Sequence, residues 1–419
     1  MKTADDFSSR IDRLKVIFYA ILIGLLAGVF SLVFNLLLTS GTWLVEQLLI
    51  GHRAFIIVLP ALVYGLLLLS NRYLKSSETA FGIRAVDREL AEIDRHLMKP
   101  KAVLIKFFNT IITLCCGFAV GQFGPTVHLG GAIGSNIGYY GKFPKPVIRI
   151  LIGCGVAAAI SAVMQTPLFA AIFVIEVIFS KRYFDYMLPI LLSSLVAFFL
   201  NFYILGNNRI ISFANFDFSL VMNQHDWFWL VSFAVGLGIL MALYVFSLKY
   251  FALIFAPFKN KIAVYGLLIV AFAALYFSFP AALFTTPSSI VALLGQHNGL
   301  ALLALLLLVR LLATALQLAS GVYGGSFSPV IIIGLIFAAL SHGLLVDLSD
   351  LQLNLQNWLA FSIVGTISGF ASAPVAAVVL ALELTGNATI LIPAIVVAVV
   401  SYFVCDLLLV EQVYWSKEI

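Results

Sequence analysis

Gly121-Gln122-Phe123-Gly124-Pro125-Thr126-Val127-His128 is a run of backbone donors with little side-chain chemistry of its own. Proline suits the first turn of a helix, where its missing N–H has no intrahelical partner to lose. The spacing predicts one helix ending near Val120, a short loop, and a second helix opening at Pro125. A helix start presents unpaired N–H groups and a partial positive charge, which together suit an anion. Gly324-Gly325-Ser326-Phe327-Ser328-Pro329 repeats the arrangement further along the chain. A Pro/Gly kink in a purely structural helix is the alternative that these residues alone leave open.

The elements that position these stretches are membrane helices. Phe107 to Gly141 contains no Asp, Glu, Lys or Arg, and about 20 apolar residues already span a bilayer. Ile17 to Val45, Leu230 to Leu248 and Leu311 to Leu345 are charge-free as well. The 419-residue chain is 62% hydrophobic and 10% charged, with a mean hydropathy of +1.09. That balance excludes a soluble globular protein and predicts an all-α polytopic membrane protein. Irregular backbone at membrane depth survives only buried in protein or lining an aqueous cavity, so the broken helices point to a site.

Met1 to Lys15 is charged and amphipathic and lacks a cleavage site after a short apolar core, so it predicts a cytoplasmic surface helix rather than a signal peptide. Basic residues cluster at Arg10, Arg13 and Lys15, from Arg84 to Lys106, and at Lys142, Lys145, Lys181, Arg182, Lys259 and Lys261. Positive-inside reasoning places most of them on the cytoplasmic face; the expected location is a bacterial inner membrane with both termini cytoplasmic. The net charge of +5 therefore reads as topology, not as nucleic-acid binding. Cys115, Cys116, Cys154 and Cys405 lack metal-ligand spacing and read as small core residues. No H-E-x-x-H, Walker A or Gly-x-Ser-x-Gly motif appears, which argues against an enzyme.

The chain repeats itself. Pro167 opens an apolar helix with Glu176 nine positions on, and Pro374 opens another with Glu383 nine positions on. The offsets nearly agree, since 374 − 167 = 207 and 329 − 125 = 204. The expected organisation is residues 1–15 as the surface helix, 16–205 as a first transmembrane repeat, 206–226 as a polar loop and 227–419 as a second repeat. Matching breaks in two halves point to a substrate site at the repeat interface near the midplane.

In this order the motifs resemble the CLC family of chloride channels and chloride/proton exchangers over nearly the whole chain. Gly121 to His128 resembles the family's G-K/R-E-G-P-x-V-H/Q motif, and Gly325 to Pro329 its G-x-F-x-P motif. Ala373-Pro374 to Glu383 resembles its late A-A-P segment, and Tyr414 matches its pore tyrosine. Ala80 to Arg84 stands, more weakly, at the G-S-G-I-P motif. The resemblance implies an inverted-repeat fold of tilted, partly broken helices and a homodimer with one pore per subunit. It implies an anion bound by amides at Ser326 and Phe327, by amides around Gly121, Gln122, Phe123 and Gly124, and by the Tyr414 hydroxyl. The implied partners are chloride or a similar small anion and the bilayer, with no cofactor beyond the bound anion. The chain ends soon after Tyr414, so the C-terminal regulatory domains of some relatives are expected to be absent.

Three departures from the family pattern bear on mechanism. Phe123 stands at the gating glutamate, Val177 at the intracellular proton-relay glutamate, and Phe81 at the pore serine. A phenyl ring cannot carry a proton, so the expectation is a passive anion channel or uniporter, with Phe123 and Phe81 as steric gates. The alternatives are a coupled transporter that uses a substitute carboxylate such as Glu78 or Glu411, a transporter of another anion such as fluoride or nitrate, and a non-conducting protein plugged by the two rings. Glu176 and Glu383 read as helix-end structural pairing and His128 as packed within its helix. Gln122, at a position that is basic in the family, weakens the field that draws anions to the outer mouth. Arg310 pairs internally or snorkels.

Overall fold

The computed structural model describes residues 10–52, 54–74, 81–179, 186–207, 224–258, 261–280, 283, 286–294, 299–348 and 354–409. Glu78, Glu411 and Tyr414 lie outside the described residues. The described chain is helical throughout: α1 Arg10–Gly51, α2 Phe55–Tyr73, α3 Ile83–Ala91, α4 Pro100–Cys115, α5 Phe123–Tyr140, α6 Lys145–Met164, α7 Pro167–Phe173, α8 Met187–Leu205, α9 Gln224–Phe255, α10 Lys261–Ser278, α11 Pro287–Leu294, α12 Leu300–Ala319, α13 Phe327–Leu348, α14 Leu355–Ala371, α15 Pro374–Thr385 and α16 Leu391–Leu408. Among the described residues, nine helices are long and apolar enough to cross a membrane. The protein is a multi-pass membrane protein. α1 runs unbroken for 42 residues, about 60 Å at 1.5 Å per residue. That is roughly twice the hydrocarbon thickness and fits the strong tilt expected of so long a span.

The helix breaks differ from the expected boundaries. α4 ends at Cys115, not near Val120, and α5 begins at Phe123, not at Pro125. Gly117 adopts φ 80, a left-handed turn that glycine reaches without a Cβ penalty and that stops α4. Pro125 is tolerated as the third helical residue because the first four N–H groups of a helix have no intrahelical partner. Gly321 at φ 88 ends α12 in the same way, 204 positions later (321 − 117 = 204). The duplication extends to a second pair of turns. Gln165 (φ 55, ψ 40) and Ser372 (φ 55, ψ 39) close α6 and α14, each two residues before a helix-opening proline.

The chain forms two compact units that interleave in sequence, one of residues 1–36, 75–107 and 126–209, the other of residues 37–74, 108–125 and 210–419. In the first unit α6 is buried along almost its whole length. α5 meets it backbone to backbone: a Cβ on Gly130 would stand 2.1 Å from the Gly155 carbonyl oxygen, and one on Gly155 2.0 Å from that of Gly130. Ser161 and Ser193 donate their hydroxyls to Ser194 O (2.8 Å) and Cys154 O (3.0 Å), tying α6 to α8. In the second unit Trp358 of α14 stacks on Phe233 of α9 with centroids 4.5 Å apart and donates its indole N–H to Ser341 Oγ of α13 at 2.8 Å. Ser401 of α16 donates to Gly365 O of α14 at 2.7 Å. Small residues admit close helices and hydroxyls join them, as membrane packing requires. The four cysteines are free and buried.

Candidate functional site

The α4–α5 and α12–α13 breaks come together inside the second unit. The Gly121 N–H donates to Gly325 O and the Gly325 N–H to Gly121 O, both at 2.7 Å, as an isolated antiparallel bridge. Only glycine fits here. A Cβ on Gly121 would lie 2.7 Å from Pro329 Cδ, and one on Gly325 2.5 Å from Gly124 N. The Ala119 N–H donates to Gln317 Oε1 at 2.5 Å, holding the first loop against α12.

Phe123 opens α5 and Phe327 opens α13. Their rings stack with centroids 4.0 Å apart and planes 13° off parallel, and each residue is 2% exposed. Gly121 with Gly325, and Phe123 with Phe327, are equivalent positions at the same 204-residue offset (327 − 123 = 204). Both the bridge and the stack therefore join a residue to its own repeat counterpart, so the two loops meet in a locally two-fold manner.

Electrostatically the place is set by helix starts. The two loops contain no Asp, Glu, Lys or Arg, and each leads into a helix whose first N–H groups face outward from its N-terminus. Ser326 caps α13, its carbonyl accepting from the Val330 N–H at 3.1 Å. Of the amides expected to hold an anion, those of Gln122, Phe123, Gly124, Ser326 and Phe327 belong to the two loops and first helical residues that carry the stacked rings. The Gly121 amide does not fit the expectation, because its one proton is committed to Gly325. Tyr414, the expected hydroxyl donor, lies outside the described residues.

Most of the remaining candidates fall in the first unit. Phe81 stands just before α3, its ring 5.4 Å from that of His128 and tilted by 31°. Val177 is buried in Val174–Ile178, a π-helical turn that extends α7. Glu176, in the same turn, is 6% exposed, and the turn packs against α3. A π turn holds an extra residue, so it moves side chains off the register that counting from Pro167 implies. α15, the counterpart of α7, contains no such turn. α3 is fixed by Glu89, which accepts from the Leu97 N–H (2.7 Å), the Met98 N–H (3.1 Å) and the Ser135 hydroxyl. Beside it burial pushes the Asp87 carboxyl up to about 7. Burial also lowers His96, which stacks on Tyr139 at 4.0 Å. Arg310 is buried in the second unit, within electrostatic reach of Tyr244, and does not snorkel.

Sequence reasoning took Phe327 as an amide donor and missed its ring as the partner of Phe123. The shared offset was the signal that could have paired them.

A family described as voltage gated chloride channel matches residues 66–406. The H(+)/Cl(-) exchange transporter ClcA of Vibrio cholerae serotype O1 is 25% identical over 422 residues, covering 96% of this chain and 88% of that protein. The fold is similar to that of a slow cyanobacterial Cl-/H+ antiporter (TM-score 0.81, 21% identity, 95% of this chain and 96% of that one). It is equally similar to that of a CLC-type fluoride/proton antiporter (TM-score 0.83, 19% identity, 95% and 97%). The matched region takes in α3 to α15 and both Gly-Pro loops, and with it the chain belongs to the voltage-gated chloride channel (CLC) family.

Proposed function

We propose that this protein moves chloride or a similar small anion passively across the membrane, without carrying protons. The observation that supports this reading is the Phe123–Phe327 stack. A carboxylate in place of Phe123 could enter an anion site charged and leave it protonated, whereas a ring packed on its repeat counterpart has no proton to exchange. The relatives named above are described as exchangers or antiporters, so anion transport is the shared ground and coupling is the point of difference. The helix starts supply amide donors without a countercharge, which lets a dehydrated anion bind and still leave.

With centroids 4.0 Å apart, the rings leave no space for an anion between them, so passage requires Phe123 to swing away. Opening breaks an aromatic pair worth about 0.5–1.5 kcal/mol beyond its buried area and exposes the buried ring, about 3–5 kcal/mol in all, a barrier that slows passage without blocking it. The stack therefore serves as a gate and not as a permanent plug. The protein works as a homodimer in a bacterial inner membrane with both termini cytoplasmic.

A second reading is favoured by one feature, the buried Glu176 in a π turn against α3, close in sequence to the relay position at Val177. There Glu176 would carry protons.

The deciding experiment records chloride efflux and external pH together in proteoliposomes whose voltage is clamped by a potassium ionophore. Efflux without proton uptake is expected for wild type and for Glu176→Gln alike. Uphill proton movement that Glu176→Gln abolishes would replace the passive reading with the coupled one. Absence of anion movement would overturn both.

A further inference from the structure

His128, on α5 in the first unit, is 3% exposed, and neither Nδ1 nor Nε2 has a hydrogen-bond partner. That sets it apart from the polar side chains around it. Asn136, two turns further along the same helix, donates to Met98 O at 2.8 Å and Ala132 O at 2.7 Å, and His96 Nε2 pairs with Asn136 Oδ1 at 3.2 Å. An imidazole carries at least one N–H in any protonation state. Leaving that donor unmatched in a protein interior is unfavourable, which makes the ring a place where a ligand recovers energy the protein alone forgoes.

The surroundings select the sign of that ligand. Lys106 on α4, itself 3% exposed, is the charged group that acts on His128 electrostatically. Phe81 lies against the imidazole, so the remaining wall is aromatic and apolar. A donor, a cation and a ring suit a small monovalent anion and reject a metal cation.

We propose that His128 is an anion-contacting residue, its ring N–H donating to a halide held within the first unit beside Phe81 and Lys106. This goes beyond the helix-start site in the second unit and rests on the anion reading of the protein. A hydrogen bond from a neutral donor to a charged partner is worth about 1.5–3 kcal/mol, so losing it weakens binding at this site roughly 10- to 100-fold.

The test is anomalous diffraction from crystals of the full chain equilibrated in bromide, for wild type, His128→Leu and His128→Gln, with bromide efflux from proteoliposomes alongside. The expected result is a bromide peak on the His128 ring in wild type that His128→Leu removes and His128→Gln, which keeps an N–H, retains. Efflux should slow about tenfold or more in His128→Leu and recover in His128→Gln. Bromide at Ser326 and Phe327 but none at His128 overturns this inference and leaves the anion reading standing. Bromide that persists at the same place in His128→Leu overturns it as well. Bromide nowhere in the protein overturns both.

Discussion

Phe123 sits at the first position of α5 with its ring on Phe327, and two expected outcomes belong to that contact. Phe123→Ala removes a buried ring, so thermal unfolding in detergent should show a loss of about 3–5 kcal/mol. The same variant should raise chloride efflux several-fold, because the moving half of the gate is gone. Lower efflux from folded protein would mean that the ring supports the path instead of closing it. Asp87, outside the membrane spans on α3, gives a pH signature. Burial raises its carboxyl from 3.8 to about 7, so the folded chain holds a proton that the unfolded chain releases. The stabilisation is complete below about pH 4 and is lost as pH rises through about 7. Asp87→Asn should therefore flatten the fall in thermal midpoint between about pH 4 and 7. Parallel curves for the two proteins would show that Asp87 is solvated.

At the scale of elements, the closest approach is between α5 and α6, where the Gly130 and Gly155 backbones touch. Gly130→Ala forces the helices apart and should cost about 1–3 kcal/mol, read as a lower melting temperature. Gly266 on α10 has nothing within 4 Å of a built Cβ. Gly266→Ala should gain about 0.5–1 kcal/mol from helix propensity alone. If both substitutions move stability alike, the α5–α6 contact is not what limits it. The π turn after α7 shows how an element alters a site reading. Glu176 and Val177 are neighbours in sequence, and both are buried in the π turn Val174–Ile178, which packs against α3. α15 keeps α-helical register through Glu383, so the two repeats differ where a proton carrier would sit.

For the whole molecule, burial alone does not say what covers its apolar faces. α8 exposes Phe199, Tyr203 and Ile204, and α16 exposes Val399, Phe403 and Leu407. In a bilayer such faces meet lipid at no hydrophobic cost, so association relies on packing and not on apolar area. Light scattering of purified protein, corrected for detergent, is expected to give twice the 45.7 kDa chain mass. A single-chain mass in several mild detergents would remove the homodimer from the proposed function.

The all-helical membrane fold, the internal duplication and the family were legible in the sequence, because hydropathy and Pro/Gly spacing are local and repeat at fixed offsets. The bilayer enforces them: without water, backbone groups must be satisfied within helices, and irregular backbone collects where it is sheltered. That Phe123 and Val177 are not carboxylates, where the family resemblance leads one to expect glutamates, needs no coordinates to read. Three features came from tertiary structure. The Gly121–Gly325 bridge consumes an amide expected for the anion, the Phe123 ring finds Phe327, and His128 is packed without a hydrogen-bond partner. Each depends on segments far apart in the chain, or not joined by local bonding, being brought within a few ångströms. Local propensity marks where a helix starts to within a few residues, whereas the packing of the completed chain decides which donors are taken up.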